Sequence, residues 1–161
     1  LFLLFSSYSA FLFRNDNNES IFFFLMVLLT CVATDIGGYI FGKIFKGPKL
    51  IKISPKKTYA GMIGGYLLSL ACLTAITHYI DYPNIPIQLF VITLIISSVS
   101  QVGDIIVSYF KRLSKLKDTG KIIPGHGGLL DRIDGMIFAF PIVYLINLTE
   151  YLNVWEKKLP F

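Results

Sequence analysis

Asp104, Ser108 and Lys111, in the run QVGDIIVSYFKR, fall at i, i+4 and i+7. On a helix that spacing makes one stripe bearing a carboxylate, a hydroxyl and an ammonium. A little further on, KDTGKIIPGHGGLLDRID (117–134) gathers Asp118, Asp131 and Asp134 with Lys117, Lys121, His126, Arg132 and four glycines. Asp131 and Asp134 are three residues apart and share a face if a helix starts there. Carboxylates that converge at one depth repel unless a cation neutralises them. An oxygen-rich set without thiolates suits Mg2+, which takes one or two carboxylates and completes its shell with water and phosphate. The surrounding lysines and arginines supply positive potential for a polyanion. The pattern therefore asks for phosphate plus Mg2+.

The glycines agree with that chemistry. PGHGG, with Gly125, His126, Gly127 and Gly128, gives a proline-fixed corner whose exposed N–H groups can form an anion nest ahead of a helix. SPKKT, with Ser54, Lys56, Lys57 and Thr58, is a second candidate phosphate grip: a hydroxyl cap with two lysines. Each has a plainer reading. PGHGG alone is an ordinary turn, SPKKT alone a solvated basic loop, and Asp131 and Asp134 alone are acids matched to a helix N-terminus. His126 reads equally as an acid–base group, a phosphate donor or a turn residue. His78, beside an outer loop, reads as interfacial and inert.

These residues sit in an apolar chain. Of 161 residues, 54% are hydrophobic and 16% charged, with a mean hydropathy of +0.64. Soluble domains are about one quarter charged, so the composition predicts an integral membrane protein. The net charge of +5 then reads as basic loops facing anionic headgroups or a phosphate-bearing ligand, with no role for nucleic acid. Cys31 and Cys72 lie in apolar runs and read as small hydrophobes, with no CxxC or HExxH spacing present.

Four apolar runs are long enough to cross a bilayer: 21–42, 60–80, 87–110 and 135–152. Residues 1–13 are too short and read as part of a helix whose start is missing. Helices are expected because a lone spanning segment satisfies its backbone internally only in that form. The fold class is all-α: a polytopic helical bundle with four full transmembrane helices and a partial N-terminal one, read as a single domain over 1–161. The loops at 43–59 and 111–133 hold twelve of the fifteen Lys and Arg residues. By the positive-inside rule both face the cytoplasm, with two lysines in the tail WEKKLPF as a mild conflict. Asp35 and Asp104 fall inside spans, five to seven residues from these loops, roughly 10 Å below the surface. Intramembrane carboxylates face polar cavities and have partners; a structural carboxylate bonded to a nearby Lys or Ser is the plainer reading of either. Gly38/Gly42 and Gly61/Gly65 have the spacing that lets helices approach closely, within one chain or between two.

The run SYFKRLSKLKDTGKIIPGHGGLLDRID (108–134) resembles the signature of phosphatidate cytidylyltransferases, also called CDP-diacylglycerol synthases. Its Ser, Lys-Arg, Lys-Asp, Pro-Gly-His-Gly-Gly and Asp-Arg-x-Asp positions all stand at the family's spacing. DIGGYIFGKIFKGPKL and KISPKKTYAGMIGG resemble a second block, so the likeness covers about residues 35–134. The stretch before KISPKKT is shorter than in the family, and the family's further N-terminal helices are absent from this sequence.

The resemblance implies a nucleotidyltransferase of phospholipid biosynthesis. CTP and phosphatidic acid would give CDP-diacylglycerol and pyrophosphate at a Mg2+ centre, with a monovalent cation such as K+ as a companion. It also implies a homodimer in contact with membrane lipids, in the inner, cytoplasmic membrane, with the active site facing the cytoplasm. Carried over by position, Asp104, Asp131, Lys111 and Asp118 would be catalytic. Asp104, Asp131 and Asp134 would hold metal. Ser54, Lys56, Lys57, Thr58, Ser108, Arg112, Lys117, Gly125, His126, Gly127, Gly128 and Arg132 would bind the nucleotide. A CTP-dependent polyprenol or lipid kinase, an ion or proton transporter, and an inactive membrane fragment with only packing roles are the competing readings.

Overall fold

The computed structural model describes residues 2–13, 18–51, 54, 57–79, 85–116 and 130–148, with the backbone alone at 2, 13, 18–20, 130–132 and 147–148. The described chain is helical: α1 Phe2–Phe13, α2 Asn18–Phe45, α3 Tyr59–Tyr79, α4 Ile87–Leu113 and α5 Leu130–Leu148. Among the described residues the extended pairing is a single antiparallel bridge between Lys49 and Thr58, which closes the loop from α2 to α3.

Three helices are long and apolar enough to cross a membrane: Ile21–Phe45, Tyr59–Tyr79 and Ile87–Leu113. The described apolar stretch of α5 is shorter, Ile133–Ile146, as is Leu3–Leu12 of α1. This is an all-α, integral membrane architecture. α5 departs from the expected 135–152 boundary by starting at Leu130, so DRID is its first turn. Acids there complement the positive end of the helix dipole. Pro141 lies inside α5 without ending it.

α2 and α4 also overrun their apolar runs, because each ends in a basic turn. Lys43 closes α2, and Lys111 with Arg112 closes α4, where cations match the negative helix end. After α2 the chain turns through Lys46 (φ 50°) and Gly47 (φ 87°). α4 ends in a Schellman pattern: Lys115 N–H donates to Arg112 O at 3.0 Å and Leu116 N–H to Lys111 O at 2.9 Å. Lys115 takes the left-handed position (φ 55°) that this cap requires.

Packing follows from side-chain size. α2 lies on α3 at very close range. A Cβ on Gly37 would collide with the Gly64 carbonyl, and one on Gly64 with the Phe41 ring. The two GxxxG spacings therefore serve contact within the chain, with Gly61 against Gly38 and Gly42. The apolar core is built from Val27, Cys31, Leu89, Ile96, Ala139 and Val143, contributed by α2, α4 and α5. Both cysteines are free.

Hydroxyls occupy the centre as well. Thr34 Oγ1 donates to Thr30 O at 2.8 Å and meets Ser97 Oγ at 2.9 Å, tying α2 to α4. Tyr66 OH and Ser98 Oγ, 2.9 Å apart, tie α3 to α4. Large apolar side chains such as Leu4, Phe11, Ile63, Leu67 and Val91 stay exposed. In a membrane protein that is the surface offered to lipid.

Candidate active site

The C-terminal half of α2, the start of α3, the later part of α4 and the start of α5 meet at one pole. A cavity of about 290 Å³ opens there. α2 contributes Thr34, Asp35, Gly38 and Tyr39, and α4 contributes Gln101, Asp104 and Ile105. Leu50, Lys57 and Thr58 come from the loop, Gly61 and Met62 from α3, and Asp134 from α5.

Each side chain is set by its backbone. Thr58 caps α3: its Oγ1 accepts from Gly61 N–H at 3.1 Å, satisfying a first-turn donor that would otherwise lack a partner. The loop before it is pinned by Lys57 N–H donating to Ser54 O at 3.0 Å and Leu50 N–H donating to Lys57 O at 2.8 Å. Lys57 thereby enters the cavity, where Nζ lies 2.5 Å from Asp104 Oδ2. Ser108 Oγ donates to Asp104 Oδ1 at 3.4 Å, one turn along α4. Gln101 Nε2 donates to Met62 O at 3.4 Å, joining α4 to α3 along the cavity wall.

Asp134 is buried, with 5% of its surface exposed. Its Oδ1 accepts from the Gly135 N–H at 2.9 Å. Its carboxyl lies within hydrogen-bonding and electrostatic reach of Asp104, and Lys111 acts on it from the last turn of α4. Two carboxyl groups at one wall repel in a medium of low dielectric. Lys57 and Lys111 are the positive charges placed to offset that repulsion.

Asp104 and Asp134 are thus two described acids that face each other in the cavity. Their oxygen-only chemistry fits Mg2+, which borrows one or two carboxylates and keeps water or phosphate on its remaining positions. Asp35 lines the same cavity from α2.

The expected residues fall into three groups. Asp104, Asp134, Lys57 and Thr58 are brought together at the cavity. Ser108, Lys111 and Arg112 continue along α4 toward its end, with Arg112 exposed, and Ser54 anchors the Lys57 turn through its carbonyl. Asp131 and Arg132 stand in the first turn of α5, their side chains outside the described residues. Lys56, Lys117, Asp118, Gly125, His126, Gly127 and Gly128 also lie outside the described residues. Gln101, Tyr39 and Met62 were not anticipated as site residues. Gln101 carries a legible signal, since a lone amide three residues before an intramembrane carboxylate shares its helix face.

Fold and site together define a helical membrane protein whose acidic and basic groups converge at one end of the bundle, suited to a phosphate-bearing ligand. The chain belongs to the Cytidylyltransferase family, whose model matches residues 1–149. It is 39% identical over 135 residues to a phosphatidate cytidylyltransferase of Staphylococcus aureus (strain COL), covering 83% of this chain and 52% of that protein. A phosphatidate cytidylyltransferase of Rickettsia prowazekii (strain Madrid E) is 43% identical over 135 residues, covering 77% of this chain and 58% of that protein. One from Rickettsia felis is 38% identical over 149 residues, covering 86% and 63%. The chain spans about half the length of the first of these relatives and less than two thirds of the others.

Proposed function

We propose that this chain carries the catalytic part of a phosphatidate cytidylyltransferase, moving the cytidylyl group of CTP to phosphatidic acid and releasing pyrophosphate. The observation that carries this reading is the meeting of Asp104, Asp134 and Lys57 in one cavity at the basic end of the bundle, in a chain whose relatives bear that name.

In the reaction, an oxygen of the lipid phosphate monoester attacks the α-phosphorus of CTP. The bond from that phosphorus to the bridging oxygen breaks, and the electron pair leaves with pyrophosphate. Both reactants are anions, so repulsion is the first obstacle. Lys57, Lys111, Arg112, Lys117 and Arg132 oppose it, and the arginines grip phosphate with two parallel hydrogen bonds. SPKKT, Ser108 and the PGHGG turn hold the triphosphate. Asp104, Asp131 and Asp134 would hold Mg2+, with K+ as its companion, and Asp118 would be a further catalytic group. When bound, that ion offsets charge on the reacting phosphoryl oxygens and aligns the attack. The side chains need to supply no strong base, because a phosphate monoester is largely ionised near neutral pH (second pKa about 6).

The basic pole faces the cytoplasm in this reading, which the distribution of Lys and Arg supports through the positive-inside rule. CTP arrives there from water while the acyl chains remain in lipid. α5 completes a fourth full span, α1 is the partial helix, and the working unit is a homodimer. Purified protein given CTP and phosphatidate with Mg2+ tests the reading. CDP-diacylglycerol forming with Mg2+ and ceasing in its absence supports it, and no cytidylyl lipid under either condition contradicts it.

A further inference from the structure

Lys57 bears on Asp104 in a way that the proposed reaction does not by itself require. Its backbone is pinned on both sides, through Ser54 and Leu50, and the next residue caps α3. The movable part is the four-carbon stem and its ammonium. Nζ is buried and forms no well-angled hydrogen bond, so the 2.5 Å ion pair to Asp104 Oδ2 is its interaction among the described residues. Asp104 is equally committed, with Ser108 on Oδ1 and Lys57 on Oδ2. The oxygens that would take a divalent cation are the ones already paired.

An ammonium and a divalent cation on one carboxylate repel strongly where water is scarce. A cation that takes Asp104 therefore drives Lys57 away. The displaced ammonium needs a new anion, because a buried unpaired charge is costly. It lies in the same cavity as Thr58 and the start of α3, where a helix N-terminus favours phosphate. Conversely, a polyphosphate that draws Lys57 off leaves Lys111 as the remaining offset to Asp104 and Asp134 and raises their demand for a cation.

We propose that Lys57 is a positioning residue that couples the two ligands, serving as internal counter-ion to Asp104 until metal and nucleotide phosphate arrive together. The proposal rests on the cytidylyltransferase reading above. Such linkage is reciprocal, each ligand strengthening the other, with couplings of about 5- to 150-fold being usual.

Two binding measurements on purified protein test it without turnover. Titration with Mn2+, followed by paramagnetic resonance and without nucleotide, is expected to show about tenfold tighter binding in Lys57→Met, with Lys57→Arg near wild type because the cation is kept. In chelator, with no divalent ion, Asp104→Asn is expected to bind CTP about tenfold more tightly than wild type, since Lys57 is released. Adding Lys57→Met to Asp104→Asn removes that gain. Mn2+ affinity unchanged or weaker in Lys57→Met overturns the coupling, as does a CTP gain that survives in the double variant. If Asp104→Asn still binds Mn2+ as wild type does, the cation assignment itself fails, and the coupling with it. Loss of Mn2+ in Asp104→Asn without a gain in Lys57→Met defeats the coupling alone.

Discussion

Asp134 at the start of α5 and Asp104 near the end of α4 place their carboxyl groups within reach of each other, one buried and one opening to the cavity. Two consecutive helices, α4 and α5, thus supply one acidic wall. If that wall holds the ion, Asp104→Asn removes CDP-lipid formation, and Asp134→Asn lowers it by about 10- to 100-fold, the usual cost of losing a supporting group. Both variants should still insert and purify. Product formation by thin-layer chromatography, beside the yield in detergent, checks this. Wild-type turnover in either variant ends the metal assignment.

The contact between α2 and α3 makes a sharper test of packing. Gly37 has the Gly64 carbonyl where a Cβ would stand, whereas a Cβ on Gly38, one residue on, would have Gly61 O as its nearest neighbour at 3.7 Å. Gly37→Ala should therefore destabilise by about 1–3 kcal/mol through overpacking. Gly38→Ala, meeting only ordinary contact distance, should be close to neutral. Thermal unfolding of the two variants in the same detergent distinguishes them. Equal midpoints would mean that the helices do not approach as described.

The features read correctly from sequence are local ones. The Asp104–Ser108 stripe, the Thr58 cap and the three long spans follow from spacing and run length, which a helix converts directly into geometry. Residues whose roles depend on rotation of one helix against another were not legible. The GxxxG spacings pointed to close approach but not to Gly37 and Gly64 as its tightest point, which depends on which face α2 turns to α3. Lys57 was visible as one of two lysines before a cap, yet nothing local says that it reaches Asp104. Asp35 was open between a structural and a functional part, and its place in the cavity wall comes from the tertiary arrangement. The apolar run at 135–152 begins five residues after α5 does, because the charged turn DRID belongs to the helix but not to the run. A helix start at DRID agrees with the reading of Asp131 and Asp134 as acids matched to a helix N-terminus.

The hydroxyl pair Thr34 and Ser97, 2.9 Å apart between α2 and α4, gives a third expectation. Interhelical hydrogen bonds in membrane proteins couple by about 0.6 kcal/mol on average. A cycle of Thr34→Val, Ser97→Ala and the double variant should return a coupling of that size in unfolding free energy. A coupling indistinguishable from zero would show that the pair forms without holding the helices.

Orientation is tested by chemistry at two positions. Single cysteines at Lys49 and Lys121, in a background lacking Cys31 and Cys72, should react with an impermeant maleimide only once the cytoplasmic side is opened. Labelling of the two positions from opposite sides would separate the basic loops and dismantle the site.

The most direct test follows the label. CTP carrying radioactive phosphorus at the α position, and separately at the γ position, is incubated with the purified protein, phosphatidate and Mg2+. Cytidylyl transfer places α label in the lipid and leaves γ label in pyrophosphate. Label from the γ position entering lipid, with none from the α position, would make the protein a kinase and contradict the account.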